Sequence, residues 1–544
     1  NGWTASKDVI LKVATMLTVK GGTGKIVEYF GEGARSMSAT SKGTITNMGA
    51  EIGATTSTFG YDEMMDPYLR ATDRGPIADL CKQFADDLRS DPSVEENPEK
   101  YYDEYHEIDL NTLEPHIVGP HTPDLGRAVS AMSAEVDEKG YPEKLSAALI
   151  GSCTNSSYED MTRAVSLVRQ AKAAGLKARS NLMVTPGSET IYQTIKRDGI
   201  LQEFEDVGGT VLANACGPCI GQWKRDDMQK GDKNSILTSY NRNFAKRNDG
   251  NPETLGFISS PELVVAMAFG GSMKFNPMTD TLKDKDGNDF KFQPPAGEVL
   301  PPNGYTPQDA GYEAPSMSGE VVVSPTSERL AILEPFPKQD PVKDYQDLPV
   351  LFKAAGKCTT DHISQAGPWL KFRGHLDNIS NNMFLGATNA FHPETGQGNN
   401  PVTGDKDQEL NKIARNLKDS GMGWVAFADE NVGEGSSREH AAMEPRHMGC
   451  MAFVANSYAR IFEANLKKQA VLPFTFADRA DYDMIQAKDR VTCEGLDQLA
   501  PGKAVTLSIK HEDGSTDSIQ VNHTLNDKEI GWFKAGSALN SLTA

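Results

Sequence analysis

Long apolar runs are missing from this chain of 544 residues. No stretch approaches the roughly 20 successive apolar residues that a membrane helix requires, so no membrane partner is expected. Cysteine is scarce and scattered, 7 residues in all, and in so acidic a chain that does not describe a secreted disulfide scaffold. Positive charge is in deficit: 55 Lys and Arg face 75 Asp and Glu, for a net charge of −20. Such a field repels polyanions, which argues against nucleic acid and membrane surfaces and obliges an anionic substrate to find a locally basic pocket. Neither an initiator methionine nor a signal peptide opens the chain. Asn1-Gly2-Trp3 reads as an interior start, so a processed or truncated chain is expected. Two catalytic words are absent as well. Lys20-Gly21-Gly22-Thr23-Gly24-Lys25 is not a phosphate loop, because Val19 and Ile26 stand where that motif needs Gly and Ser or Thr. The G-x-S-x-G elbow of hydrolases does not occur.

What is present is an ordinary globular composition, 38% hydrophobic and 24% charged, in a chain long enough for several domains. Within it stand Cys153, in Gly151-Ser152-Cys153-Thr154-Asn155, and the pair Cys216 and Cys219, in Ala215-Cys216-Gly217-Pro218-Cys219. A two-residue gap lets both thiolates of a pair face one centre, as zinc and iron–sulfur sites require. A structural zinc knuckle is the plainer reading. The ligand count favours the other, since a closed zinc site needs four ligands and no fourth cysteine or histidine lies nearby in sequence. Three thiolates on a [4Fe-4S] cluster leave one iron without a protein ligand and open to substrate, which is what a Lewis-acid catalyst needs. The remaining cysteines, Cys81, Cys358, Cys450 and Cys493, lack paired spacing and read as packing residues.

Periodicity gives the framework. Residues 7–17 have helical spacing, with Thr4 and Ser6 as possible caps, and a strand is expected over 26–29. Residues 49–56 hold so many small side chains that close backbone packing is expected. The acidic stretch 78–113 reads as an exposed helix and a solvated loop. Strands at 147–150, 182–184 and 210–212 alternate with helices at about 158–174 and after Ser188, a βαβαβ pattern that implies a parallel sheet. Both cysteine loops follow carboxyl ends of strands, where open α/β sheets place ligands. A further strand at 235–240 delivers Asn241, Arg242 and Arg247 to the same edge, and Pro261 opens an apolar helix that stops at Gly270-Gly271. Ten of the 30 prolines lie between Pro294 and Pro341, the mark of an extended linker over the surface. Beyond it, strands are expected at 350–352, 424–427 and 451–454, the first weakened by Pro349, and a hairpin joins 505–509 to 518–521. Ser436-Ser437-Arg438 before a helix at Glu439 reads by default as a helix cap with a well-placed cation.

The words around the cysteines, together with Ser239-Tyr240-Asn241-Arg242-Asn243-Phe244 and Gly433-Glu434-Gly435-Ser436-Ser437-Arg438-Glu439-His440, occur in this order in aconitases, and the chain resembles that family from end to end, closest to its mitochondrial type. The resemblance implies parallel-sheet α/β domains followed by a linker and a separate C-terminal α/β swivel domain. The corresponding division is 1–113, the remainder of an N-terminal α/β domain; 114–285, an α/β domain with the cysteines; 286–326, the Pro-rich linker; and 327–544, the swivel domain. It implies reversible isomerisation of citrate to isocitrate through cis-aconitate, in the tricarboxylic acid cycle of the mitochondrial matrix, by a monomer. Cys153, Cys216 and Cys219 would hold the cluster. Asn241, Arg242, Arg247, Arg373, Ser437 and Arg438 would bind substrate, the arginines gripping its carboxylates. Ser436 would be the base, and Asp361 and Glu28 would belong to the polar shell around the cluster-bound oxygen. Aconitases also carry a sizeable N-terminal domain with Asp-His and Asp-Ser-His motifs that this chain lacks, so that domain is an expected partner and the activity of the chain by itself is in question. Two other readings stand beside this one: a related isomerase for isopropylmalate or homocitrate, against which the Asn241-Arg242-Asn243-Phe244 word argues, and a cluster-free RNA-binding protein, against which the net charge argues.

Overall fold

The computed structural model describes residues 2–307, 314–316 and 318–543. Residues 308–313 and 317, part of the expected linker, lie outside the described residues, as does Asn1 of the expected interior start. The chain divides into two units, Asn1–Pro315 and Ser316–Ala544. No described helix is long and apolar enough to cross a membrane.

The first unit opens with α1 (Ser6–Leu17). Neither Thr4 nor Ser6 caps it. Ala5 is the N-cap, and the Asp8 carboxylate reaches back to accept from the Ala5 N–H at 2.7 Å. Next come β1 (Ile26–Tyr29), α2 (Ala39–Asn47) and β2 (Thr56–Phe59), with β1 and β2 paired in parallel. The small residues between α2 and β2 do allow close packing, since a Cβ at Gly49 would collide with the Ser57 hydroxyl. The stretch 78–113 holds more helix than expected, in short pieces from Gly75–Gln83 to Pro98–Tyr101.

The main sheet is built from β3 (His116–Val118), β4 (Gly126–Ala128), β5 (Leu145–Gly151), β6 (Asn181–Thr185), β7 (Thr210–Val211), β8 (Asn234–Thr238) and β9 (Thr254–Ile258), in the order β4-β3-β9-β8-β5-β6-β7. The run from β9 to β7 is parallel, as the βαβαβ pattern requires, and β3 and β4 add an antiparallel edge. β3, β4 and β9 were not legible: the first two have three residues each, and Gly256 interrupts the third. α3 (Tyr158–Ala173) starts at a Ser157–Asp160 capping box and buries Met161, Ala164, Val165, Val168 and Ala171 against the sheet. α4 (Pro261–Gly270) is buried and apolar apart from Glu262, which pairs with Arg163, and it has proline in its first turn and left-handed Gly271 as its stop.

The first half of the proline-rich stretch lies along α3. Gln170, Ser166 and Thr162, one turn apart, satisfy the backbone N–H groups of Gln293 (2.8 Å), Ala296 (3.1 Å) and Glu298 (3.0 Å). A proline-rich segment cannot form a strand ladder, and one helix face supplies the partners instead.

In the second unit, β10 (Leu348–Lys353), β11 (Trp424–Ala428), β12 (Cys450–Ala455), β13 (Leu472–Phe476), β14 (Arg490–Glu494), β15 (Val505–Lys510) and β16 (Thr516–Asn522) close a barrel in the order β10-β11-β12-β13-β16-β15-β14. Closure removes both sheet edges. The faces alternate along β11: Val425 and Phe427 join one core, while Trp424, Ala426 and Ala428 join another that includes α5 (Leu410–Asp419) and α6 (His440–His447). β10 is a full strand despite Pro349. That residue pairs with Arg490 of β14, ahead of the residues that pair with β11.

Candidate active site

β5 ends in a turn that only glycine can open. Gly151 has φ 110° and Ser152 has φ 64°, and a Cβ at Gly151 would collide with the Thr185 carbonyl. The turn leaves Cys153 exposed, its Sγ 3.8 Å from Thr154 Oγ1. α2 supports the loop. Thr154 Oγ1 donates to Asn47 Oδ1 at 3.0 Å, and Thr44 Oγ1 donates to the Thr154 carbonyl at 3.1 Å. After β7, Cys216 leads into a tight turn over Gly217–Ile220 that contains Cys219, with the Cys219 N–H donating to the Cys216 carbonyl at 2.8 Å. Cys216 is exposed. Cys219 is buried beside Tyr240, and burial pushes its thiol up, against the opposing pull of Arg247; Cys153 and Cys216 act on the same thiol.

β8 lies beside β5 and delivers the arginines. Arg242 pairs with Glu51 at 3.0 Å, and Asn241 Nδ2 donates to the same Glu51 oxygen at 3.0 Å. Glu51, Asn241 and Arg247 are buried. Burial pushes the Glu51 carboxyl up, while Arg242, Lys7 and Arg247 pull it down. Glu51 is the functional residue that sequence reasoning missed, and its signal was a lone carboxylate among the small residues 49–54. Glu28 lies elsewhere. It sits on β1 and accepts from Ser90 Oγ at 2.6 Å, beside Tyr102. The structure thus brings Glu51, not Glu28, to Arg242.

In the second unit, two loops are laced together. Thr360 Oγ1 donates to the Ser436 carbonyl at 2.8 Å, and the Thr360 N–H donates to the Glu434 carbonyl at 3.0 Å. Asp361 ion-pairs with Arg438, whose other guanidinium nitrogen donates to the Ser364 carbonyl. Ser436 is half-buried and Ser437 exposed. Gly435, at φ 100°, gives the loop its bend. α6 begins only at His440, with Glu439 as N-cap, so Ser436 does not cap it. Arg373 is exposed, and its carbonyl lies 2.9 Å from His440 Nε2, which ties it to the start of α6.

Among the described residues, no three His, Cys, Asp or Glu side chains are grouped closely enough to hold a single metal ion. The donor set suits a larger sulfur-bridged iron centre: three free thiols on two loops at strand ends, with Arg247 near to offset their charge.

Residues 1–271 match the model of the aconitase family (aconitate hydratase), and residues 348–479 match that of the aconitase C-terminal domain. The chain is 55% identical over 543 residues to the mitochondrial aconitate hydratase of Gracilaria gracilis, covering 99% of this chain and 69% of that protein. It is 56% identical over 542 residues to a probable mitochondrial aconitate hydratase of Caenorhabditis elegans (100% and 69%), and 55% identical over 547 residues to the mitochondrial aconitate hydratase of Saccharomyces cerevisiae (100% and 69%). A crystal structure of 3-isopropylmalate dehydratase from Methanocaldococcus jannaschii aligns with 37% of this chain and 93% of its own, at 22% identity and a TM-score of 0.25. Matched by both family models and, nearly end to end, by these relatives, the chain belongs to the aconitase family.

Proposed function

We infer that the chain is an aconitate hydratase, a hydro-lyase that isomerises citrate to isocitrate reversibly through cis-aconitate in the tricarboxylic acid cycle. The observation that carries this is the identity of about 55% to mitochondrial aconitate hydratases over nearly the whole chain. The site geometry adds its support: three thiols, Arg242 and the buried Arg247 follow strands of one sheet, and Arg438 lies two residues from Ser436.

The roles follow from chemistry. Removing a proton next to a carboxylate builds negative charge on that carboxylate, and guanidinium forks bind it through paired hydrogen bonds. Arg242 and Arg247 serve this purpose in the first unit, Arg373 and Arg438 in the second, with Asn241 and Ser437 as further donors. Glu51 holds Arg242 and Asn241 in register for the substrate, and Asp361 does so for Arg438. Ser436, beside the Arg438 cation, takes the proton. Cys153, Cys216 and Cys219 would hold a [4Fe-4S] cluster. When bound, that cluster supplies the Lewis acid that hydroxide departure needs. We also propose that residues 1–113, 114–285, 286–326 and 327–544 act as the functional domains, that the enzyme works as a monomer in the mitochondrial matrix, and that the part of the relatives outside this match supplies further polar groups.

The test is anaerobic reconstitution with iron and sulfide, followed by a citrate-to-isocitrate assay on the chain extended to its relatives' full length. Turnover with release of cis-aconitate is expected. In Cys216→Ser, both the cluster absorption and the turnover should disappear. A full cluster spectrum in that variant, or a loaded enzyme that ignores citrate, overturns the reading.

A further inference from the structure

Lys7 is a charged side chain with 0% of its surface exposed. Its ammonium donates to the carbonyls of Ser239 (3.0 Å) and Tyr240 (2.9 Å), the two residues directly ahead of Asn241 and Arg242. α1 delivers it there. The neighbouring Asp8 accepts from the N–H groups of Ala5 (2.7 Å) and His116 (2.9 Å), which ties the first turn of the helix to the start of β3. An ammonium facing only neutral carbonyls is expensive to bury, and is retained where nearby negative charge compensates. The acids packed around it are Glu51 after α2, Asp160 on α3 and Asp8 on α1.

The turn that Lys7 grips is also tied to the cysteine strand. The Gly151 N–H donates to Ser239 Oγ at 3.0 Å, and the Ser239 N–H donates to the Leu149 carbonyl at 2.9 Å. Ser239 and Tyr240 thus stand between the loop that bears Cys153 and the residues that bind Glu51. With a neutral side chain at position 7, two buried carbonyls would lose their donor and turn toward other partners, and Asn241 and Arg242 would move with them.

We propose that Lys7 is a positioning residue for the carboxylate site: it clamps the Ser239–Tyr240 turn from behind and so holds Asn241 and Arg242 in place on Glu51. The proposal rests on the reading of Arg242 as a substrate-carboxylate ligand. Lys7 itself touches neither substrate nor thiol.

The experiment compares the intact chain with Lys7→Met, which keeps an unbranched side chain one atom shorter and drops the charge. Two quantities are read: hydrogen exchange of peptides spanning residues 239–248, and citrate affinity by calorimetry. Exchange in that segment should accelerate, and affinity should weaken, each by about tenfold or more, as expected for the loss of charge-assisted hydrogen bonds. The rest of the first unit should exchange as before. Lys7→Gln, which retains one donor, should fall between the two and carries the test if Lys7→Met is unstable. Unchanged exchange at 239–248, uniform acceleration across the unit, faster exchange with unchanged affinity, or failure of both variants to fold each overturns the proposal. If the unsubstituted chain binds no citrate, the carboxylate reading itself falls, and that is seen without any variant.

Discussion

The Ser436 carbonyl accepts from Thr360 Oγ1 at 2.8 Å and from the Arg438 N–H at 2.7 Å. Since α6 starts at His440, the hydroxyl is not consumed in capping it. A capping serine would cost about 1 kcal/mol of stability on replacement. Ser436→Ala should therefore leave the melting temperature and citrate affinity nearly unchanged while kcat drops by several orders of magnitude, the pattern of an interaction made only in the transition state. Normal turnover with an earlier melt would instead make Ser436 a structural residue. The motif around Ser436 was legible because its glycines and charges form a distinctive word. Glu51 was not, because a carboxylate's partner on a distant strand leaves no trace in local sequence. Its neighbour Arg242 lies 191 positions away, and only the fold shows that the two meet at 3.0 Å.

At the scale of elements, long periodic segments could be read and short ones could not. α3 and α4 announce themselves through a capping serine, a proline and a terminal glycine, and the parallel strands through apolar runs covered on both faces. β3 and β4 are too short to show a period, and β14 carries a mixed pattern that reads equally as loop. The first turn of α1 leads to a pH prediction. Burial pushes Asp8 up to about 7 and Asp160 up to about 6, and it lowers Lys7 to about 8. Between about pH 4 and 7, the folded chain keeps protons on the two acids that the unfolded chain has released. Their contribution to stability therefore falls as pH rises through that window. Between about pH 8 and 10.5 the unfolded chain binds the extra proton at Lys7, so that contribution rises with pH. Urea unfolding midpoints at pH 5, 6 and 7 should show a steeper decline in the parent than in Asp8→Asn. Parallel slopes would mean that Asp8 does not titrate in this range.

Across the whole molecule, the two units each have what a domain needs. The first has a seven-stranded sheet covered by α3 and α4, and the second a closed barrel with cores on both sides of its strands. Trp424 is fully buried in the second unit, and its indole N–H donates to the Met448 carbonyl at 2.7 Å. Because closure leaves that barrel no open edge to aggregate, residues 316–544 should fold alone, with one cooperative transition and the blue-shifted emission of a buried tryptophan. The proposed chemistry, however, is split. The cysteines and Arg242 and Arg247 belong to the first unit, while Ser436, Arg373 and Arg438 belong to the second. Neither unit alone should turn over citrate, even when the first carries a full cluster. Citrate turnover by residues 1–315 alone would show that Ser436 and its arginines are not needed for the chemistry.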